Sequence, residues 1–335
     1  MKNVLYIGNA LSNKGKTSTT IDTLSELLKD ICSIKIASKK SNKLLRLLDM
    51  MRLVLMNVFK TDIVFIDTYS TFNFYYALII SQLCRFLNLK YVPILHGGNL
   101  EKRLKHNSKL SHLMFSNAYK LVAPSNFLKS VFERYGYNEV LFIPNSITIE
   151  NYEFKERKID TIELLWVRSF SSIYNPELAL LVLEKLLKLN YNTSLTMVGP
   201  EVDGSLKKAK NLVKVKKLNV KFTGKLSKLE WIHLSKDSNV FINTTNFDNT
   251  PVSIIEAMAL GLPIVSTNVG GMPFLISDGE EGILVPPNDI DAMVDEIIKL
   301  KTNEDLRLSL VNNARLKVEN FDWNVVKRKW TTLLS

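Results

Sequence analysis

The chain has 335 residues, more than one ordinary core accommodates and enough for two domains. A composition of 46% hydrophobic and 23% charged residues excludes disorder and collagen-like structure, and two cysteines, Cys32 and Cys84, are too few for a disulfide framework. The net charge of +11 is one-sided: residues 1–158 hold 23 Lys and Arg against 12 Asp and Glu, and the rest holds 21 of each. Such a field attracts an anionic partner such as lipid headgroups or a phosphorylated substrate, unless it reflects a basic background composition. The sequence lacks the interleaved cations and aromatics that stack bases, so nucleic acid is not an expected partner.

The N-terminus begins at once with an apolar strand at residues 4–7, without the basic region and long apolar run of a signal peptide. The longest apolar run, near residues 75–83, is too short to span a bilayer. The expectation is a cytoplasmic protein, free or resting on the inner face of the cell membrane. Residues 17–29 read as a helix, with Ile21, Leu24, Leu27 and Leu28 at helical spacing. Strands follow at 34–37 and 63–66, a helix at 72–87, and strands at 91–95, 121–124 and 140–143. The polar, charged segment 149–160 reads as a linker. The pattern then restarts with strands at 163–167, 194–198, 220–222, 240–243, 264–266 and 282–285. Helices are expected at 177–189, 207–217, 253–260, 290–300 and 304–317. Alternation of this kind gives an α/β fold of βαβ units with parallel sheets, in two doubly wound Rossmann-like domains over 1–150 and 159–318. Ligands of such sheets bind at the carboxyl ends of the strands, where loops meet helix N-termini.

Several stretches within this frame carry chemistry. Residues 10–17 have the spacing of a phosphate-binding P-loop, with Gly15, Lys16 and Thr17 in place but Ala10 where the first glycine belongs. Asp67, at the end of an apolar strand, is the carboxylate that an NTPase would need. The segment reads as a P-loop, as a looser loop beside an anionic ligand, or as a plain connection. Residues 39–56 mix cations with large apolar residues. As a helix they suit either an anionic membrane surface, with Lys102, Arg103, Lys105 and Lys109 extending the basic face, or a crossover packed on the sheet. His96, before Gly97 and Gly98 at a strand end, is placed to bond a sugar hydroxyl or to satisfy a nearby carbonyl. His106, His112 and His233 read as surface residues, and the aromatics of residues 69–76 as core.

The most informative stretch runs from Asn246 to Pro273. A polar loop with Asp248 enters a helix carrying Glu256, eight positions on. Thr250 and Ser253 are suitable helix caps. A Gly-Leu-Pro turn, Gly261 to Pro263, leads into a strand that ends at Gly270 and Gly271. The first-turn N–H groups of that helix can hold an anion. A carboxylate two turns in can accept two hydrogen bonds from a ribose diol, and paired glycines let backbone approach a ligand.

These residues, with Asp278-Gly279 through Pro286-Pro287 after them, resemble the retaining glycosyltransferases of family 4, which have the GT-B fold of two Rossmann-like domains facing a central cleft. Ala123-Pro124-Ser125, Ile143-Pro144-Asn145-Ser146-Ile147 and Phe222-Thr223-Gly224 resemble further segments of that family. The resemblance implies transfer of a sugar from a nucleotide-sugar to a glycan or lipid-linked acceptor, as in bacterial surface polysaccharide or lipopolysaccharide assembly, with no metal and no cofactor. It implies that Glu256 binds the donor ribose, that Asp248 contacts the transferred sugar and that Arg168 clamps the diphosphate. Thr250, Val252 and Ser253 match the loop that holds the diphosphate, and Gly199, Gly224 and Lys225 match positions around the nucleotide. His96 matches the loop that faces the donor sugar, and a last helix over 320–335 is expected to pack back on the first domain.

Three departures accompany the match. The family usually has Glu where Asp248 stands. Pro251, which has no N–H to give, replaces a frequent Gly. The family's Lys-Gly pair after the Arg is here Ile173 and Tyr174, so either a second cation comes from elsewhere, with Lys16 and Lys225 the candidates, or donor binding is weaker. The competing readings are a P-loop-type NTPase and a non-catalytic sugar-nucleotide-binding protein.

Overall fold

The computed structural model describes residues 1–11, 19–97 and 99–335. The chain forms two compact units, one of Met1–Pro144 with Val326–Ser335 and one of Asn145–Val325.

In the first unit the described strands are β1 (Lys2–Ile7), β2 (Cys32–Ala37), β3 (Ile63–Thr68), β4 (Tyr91–Leu95), β5 (Leu121–Ala123) and β6 (Val140–Phe142). They form a parallel sheet in the order β2-β1-β3-β4-β5-β6. Every residue of β3 and β4 is buried, as expected of central strands covered on both faces. The helices are α1 (Thr20–Leu28), α2 (Lys43–Asn57), α3 (Asn73–Phe86), α4 (Leu100–His106), α5 (Ser108–Phe115) and α6 (Asn126–Arg134). Thr19 and Asp22 close a capping box at the start of α1, and the Asn42 side chain accepts the N–H groups of Leu44 and Leu45 at the start of α2. The short helices α4, α5 and α6 are not among the expected elements.

In the second unit β7 (Ile162–Val167), β8 (Thr193–Val198), β9 (Val220–Gly224), β10 (Val240–Asn243), β11 (Ile264–Thr267) and β12 (Ile283–Val285) pair in parallel in the order β12-β11-β10-β7-β8-β9. The helices are α7 (Pro176–Lys188), α8 (Ser205–Lys216), α9 (Lys228–Leu234), α10 (Val252–Ala259), α11 (Met272–Leu275), α12 (Ile290–Thr302), α13 (Glu304–Glu319) and α14 (Trp323–Leu334). Pro176 fixes the first turn of α7 while the Asn175 side chain caps it. Leu178, Leu180, Val182, Leu183 and Leu186 then sink that helix into the core. From Val326 onward α14 belongs to the first unit, where Trp330 packs against Phe65 with ring centroids 5.3 Å apart.

Two expectations need correction. Segment 149–160 is not a free linker. Tyr152, Arg157 and Ile159 are buried in the second unit. The Arg157 guanidinium donates to the carbonyls of Ser235 and Ser238 at 2.8 Å each, and burial pushes its pKa down to about 10. Polar composition misled because this arginine faces backbone carbonyls rather than water. The aromatics of 69–76 are likewise not all core. Phe74 and Tyr76 are buried, whereas Phe72, just before α3, and Tyr75, in its first turn, are exposed.

Each sheet has one point where the strand order reverses, between β1 and β3 in the first unit and between β7 and β10 in the second. Those are the places where doubly wound sheets open a crevice for ligands.

Candidate functional site

Arg168 follows β7 directly, and its N–H continues the ladder to the Val198 carbonyl at 2.9 Å. Its side chain lies at the reversal point of the sheet. One guanidinium nitrogen pairs with Asp248 from the loop after β10. The guanidinium carbon sits 4.8 Å from the centre of the Tyr174 ring. Tyr174 thus occupies one position of the missing Lys-Gly pair and supplies a flat aromatic support under the guanidinium instead of a second charge. Burial pushes the Tyr174 phenol up, so it stays protonated. The Arg168 Nε is buried and has no partner among the described residues. The cation is therefore oriented with donor capacity in reserve.

Two glycines hold the Asp248 loop in place. Gly270 has φ +54°, and a Cβ there would lie 2.2 Å from the Asp248 carbonyl oxygen. A Cβ on Gly271 would lie 1.7 Å from the Asn249 carbonyl oxygen, and the Gly271 N–H donates to the Asp248 carbonyl at 2.9 Å. No side chain fits without moving this backbone. Gly271→Ala is expected to cost about 1–3 kcal/mol of stability through overpacking and to displace Asp248. A melting temperature and a donor affinity equal to wild type would contradict the tight fit. Gly199 plays the same part at the end of β8, where a Cβ would lie 1.8 Å from the Arg168 carbonyl oxygen. Gly224 ends β9 at φ +72°, with the exposed Lys225 after it.

Helix α10 follows the loop. It is anchored by Ile254, Ile255, Ala257, Met258 and Ala259, all fully buried. Pro251 occupies the N-cap position, with no side-chain cap. Neither Thr250 nor Ser253 caps this helix, contrary to expectation, because the chain enters at Pro251 and leaves Thr250 outside the first turn. The Ser253 hydroxyl is buried with no partner among the described residues. Val252 and Ser253 form the first turn, whose N–H groups point out of the helix start.

Glu256 sits on α10, 5% exposed. Its Oε1 accepts the Tyr152 phenol at 2.7 Å and the Lys228 ammonium at 2.8 Å. Burial, then the Glu256 charge, pushes the Tyr152 phenol far up, so it remains a donor. Sequence reasoning missed both partners. Tyr152 lay in the supposed linker. Lys228 opens α9 behind a recognisable capping box, Ser227 with Glu230, but nothing local ties it to a carboxylate 28 positions away. The cation the structure places on Glu256 is Lys228; of the two candidates for the second cation of the clamp, Lys16 lies outside the described residues and Lys225 is exposed after β9.

In the first unit, Gly8 directly follows β1 and Asp67 lies near the end of β3, flanking the other reversal point. The Asp67 side chain is buried; its Oδ1 accepts the Tyr6 phenol at 2.8 Å and lies 2.7 Å from His96 Nε2. The Tyr69 ring stacks on His96 with centroids 4.9 Å apart. His96 therefore pairs with a carboxylate, not with the carbonyl considered for it, and the carboxylate an NTPase would use for magnesium is engaged by His96 and Tyr6. Burial, then the Asp67 charge, pushes the Tyr6 phenol well above its usual value. Gly15 and Lys16 of the P-loop-like stretch, and Gly98, lie outside the described residues. His106, His112 and His233 are exposed, as expected. Among the described residues no cluster of His, Cys, Asp and Glu has a metal-holding arrangement.

Residues 148–317, just over half of the chain, match the family described as glycosyl transferases group 1. A Staphylococcus aureus capsular polysaccharide biosynthesis glycosyltransferase, CapM, is 29% identical over 155 residues, 44% of this chain and 40% of its own length. The chain thus spans well under half of that relative. Over its whole length the structure resembles Anabaena HepE, solved with UDP and glucose, at a TM-score of 0.80 and 15% identity, covering 99% of that chain. It also resembles the Thermosynechococcus elongatus sucrose-phosphate synthase, at a TM-score of 0.84 and 15% identity, covering 98% of that chain. These likenesses establish the expected two-domain GT-B fold.

Proposed function

Because the chain belongs to the glycosyl transferases group 1 family, we propose that it is a retaining glycosyltransferase of the family 4 type. It moves a sugar from a nucleoside-diphosphate sugar to a glycan or lipid-linked acceptor. The observation that carries this reading is the Arg168–Asp248 pair at the reversal point of the second sheet, followed in the chain by the first turn of α10 and, about one turn into that helix, by Glu256. A dinucleotide-like donor needs those parts in that order: a carboxylate for the ribose, amides and a cation for the diphosphate, and a polar group for the sugar.

In this reading Glu256 takes the ribose hydroxyls, with Oε2 available while Tyr152 and Lys228 hold Oε1. Arg168 and the N–H groups of Val252 and Ser253 take the charge that develops on the departing diphosphate. Asp248 orients Arg168 and meets the transferred sugar, and His96, oriented by Asp67, serves as a hydrogen-bond partner of a sugar hydroxyl. Gly199, Gly224, Lys225 and Thr250 border the nucleotide. The chemistry needs no metal or cofactor, because Arg168 and the helix amides carry the leaving group's charge. A uridine nucleotide is the first donor to test, since HepE was solved with UDP. Surface polysaccharide assembly is the first setting, since CapM is a capsular enzyme. The reading includes a position on the inner face of the cell membrane, where a lipid-linked acceptor would lie. No helix among the described residues is long and apolar enough to cross a membrane.

Product stereochemistry tests the reaction class. With the cognate donor and acceptor, the anomeric proton coupling of the product should match that of the donor. An inverted product would reject retention. Hydrolysis of nucleoside triphosphate with no transfer from any nucleotide-sugar would reject the reading as a whole.

A further inference from the structure

Strand β6 is the last in the first sheet's order, so one of its edges is left unpaired by β5. The later turns of α14 lie along that edge, and between them runs a groove of about 350 Å³. All of its lining residues belong to the first unit. Its walls are apolar. Leu141, Phe142 and Ile143 come from β6 and the residue after it, Leu333 from α14, and the Tyr119 ring from the segment ahead of β5. Ile143 and Leu333 are buried, and Tyr119 stands exposed at the mouth. A concave apolar space of this size falls within the range of small-molecule sites, roughly 300–1,000 Å³.

The polar side chains at the groove are mostly engaged. The Thr332 hydroxyl donates to the Arg328 carbonyl at 3.0 Å, and Lys120 pairs with Glu139. Lys329 differs. Its ammonium donates to the Phe142 carbonyl at 3.3 Å and stands 4.6 Å from the centre of the Phe142 ring. Among the described residues no carboxylate lies within ion-pair distance of it. Burial, and then the charge of Lys129 on α6, holds its pKa below the ordinary lysine value. Lys129 itself stands 3.8 Å from Glu133, and Lys90 sits over the Tyr119 ring at 4.6 Å. Lys329 is thus a cation against an apolar wall, next to other cations and without a counter-charge.

These features select among occupants. A second copy of the chain would set the lysines against one another across a two-fold axis. A strand added to the edge of β6 would meet only three residues, and Lys329 already takes the Phe142 carbonyl. A neutral apolar molecule would fill the groove and leave Lys329 unmatched. An apolar tail that ends in a carboxylate or a phosphate meets both requirements, because a charge-assisted hydrogen bond to Lys329 adds to the burial of the tail.

We infer that the groove between β6 and α14 binds one small amphipathic anion, its tail against Leu141, Phe142 and Leu333 and its head at the Lys329 ammonium. Such a site goes beyond sugar transfer and shares no residue with the donor site, whose Arg168 and Glu256 belong to the second unit.

Isothermal titration calorimetry of the full chain with decyl phosphate and with decanoate, each below its micelle concentration, tests the site. The wild type should bind one molecule. The head group bound more tightly then distinguishes a lipid phosphate from a fatty carboxylate. Hexyl phosphate, four methylenes shorter, should bind about a hundredfold more weakly. Decyltrimethylammonium, with the same tail and the opposite charge, should not bind. Lys329→Gln should weaken decyl phosphate about tenfold. Lys329 is exposed, so the melting temperature and nucleotide-sugar binding of that variant should equal wild type. Leu141→Trp fills the groove and should abolish binding; should it fail to fold, the tail-length series decides the apolar part. A wild type that binds neither decyl compound would overturn the site. So would hexyl and decyl phosphate bound alike, Lys329→Gln bound as tightly as wild type, or uptake that never saturates, which is adsorption of a detergent. Saturable binding of decyl phosphate with no binding of any nucleotide-sugar would reject the glycosyltransferase reading and leave this site standing.

Discussion

Arg168→Ala is expected to lower turnover by about a hundred- to a thousandfold, the range seen when one donor that stabilises developing charge is removed. The guanidinium is held from two sides, by the Asp248 carboxylate and by the Tyr174 ring. That support fixes its position before the donor arrives, so little reorganisation is needed as charge builds on the leaving diphosphate. The substitution removes the positive charge that offsets the diphosphate and also leaves Asp248 as an uncompensated anion beside it. Arg168→Lys should recover only part of the loss, because an ammonium lacks the planar fork and the stacking surface. Asp248→Asn separates the two effects, since it keeps the shape and removes the partner charge. Steady-state kinetics with the cognate donor decides the matter. A variant at Arg168 with turnover within a few-fold of wild type would show that the diphosphate is stabilised elsewhere.

The second large effect belongs to Glu256. Glu256→Ala should weaken donor binding by about a hundredfold or more, since hydrogen bonds to a charged group contribute about 1.5–3 kcal/mol each and two are assigned here to the ribose. The loss has a further source. Tyr152 and Lys228 both point at the Glu256 Oε1, so the substitution leaves a buried phenol and an ammonium without their acceptor. Some fall in stability is therefore expected beside the loss of affinity. Glu256→Gln keeps an acceptor for Tyr152 and should restore stability more fully than affinity. A titration with the nucleotide alone, without its sugar, should show nearly the same loss, because the ribose belongs to the nucleotide. Equal affinity of wild type and Glu256→Ala for the free nucleotide would remove the ribose contact from the account.

Much of this architecture is legible in the sequence, and the reason is local. Every strand lies within a residue or two of its expected place, because buried parallel strands are short β-branched and aromatic runs bounded by turn residues. The loop and helix from Asn246 to Gly271 are legible in outline for the same reason, since the residues that shape them are contiguous, although the helix starts from Pro251 without the expected Thr250 or Ser253 cap. What stayed hidden depends on long-range contact. Tyr152 and Glu256 are 104 positions apart, and a tyrosine within a charged segment gives no sign that its hydroxyl is buried. Lys228 was one of many lysines until α9 brought it to α10. Asp67 was visible as a strand-end carboxylate, but its pairing with His96 joins the ends of two different strands. The outward aromatics Phe72 and Tyr75 were misassigned because a hydrophobic residue next to buried neighbours carries no mark of which way it faces.

The central claim is that the second unit holds a nucleoside-diphosphate sugar through Glu256. Thermal unfolding of wild type and Glu256→Ala against UDP, GDP, ADP and ATP and their sugar conjugates tests it most directly. A ligand at 100 times its dissociation constant adds about 2.7 kcal/mol, which for a unit of this size raises the melting temperature by roughly 5–10 °C. The account predicts such a shift for wild type with one class of sugar nucleotide, and its loss in Glu256→Ala. A shift with ATP and magnesium alone, of equal size in wild type and variant, would contradict it and move the nucleotide site to the N-terminal loop around Lys16.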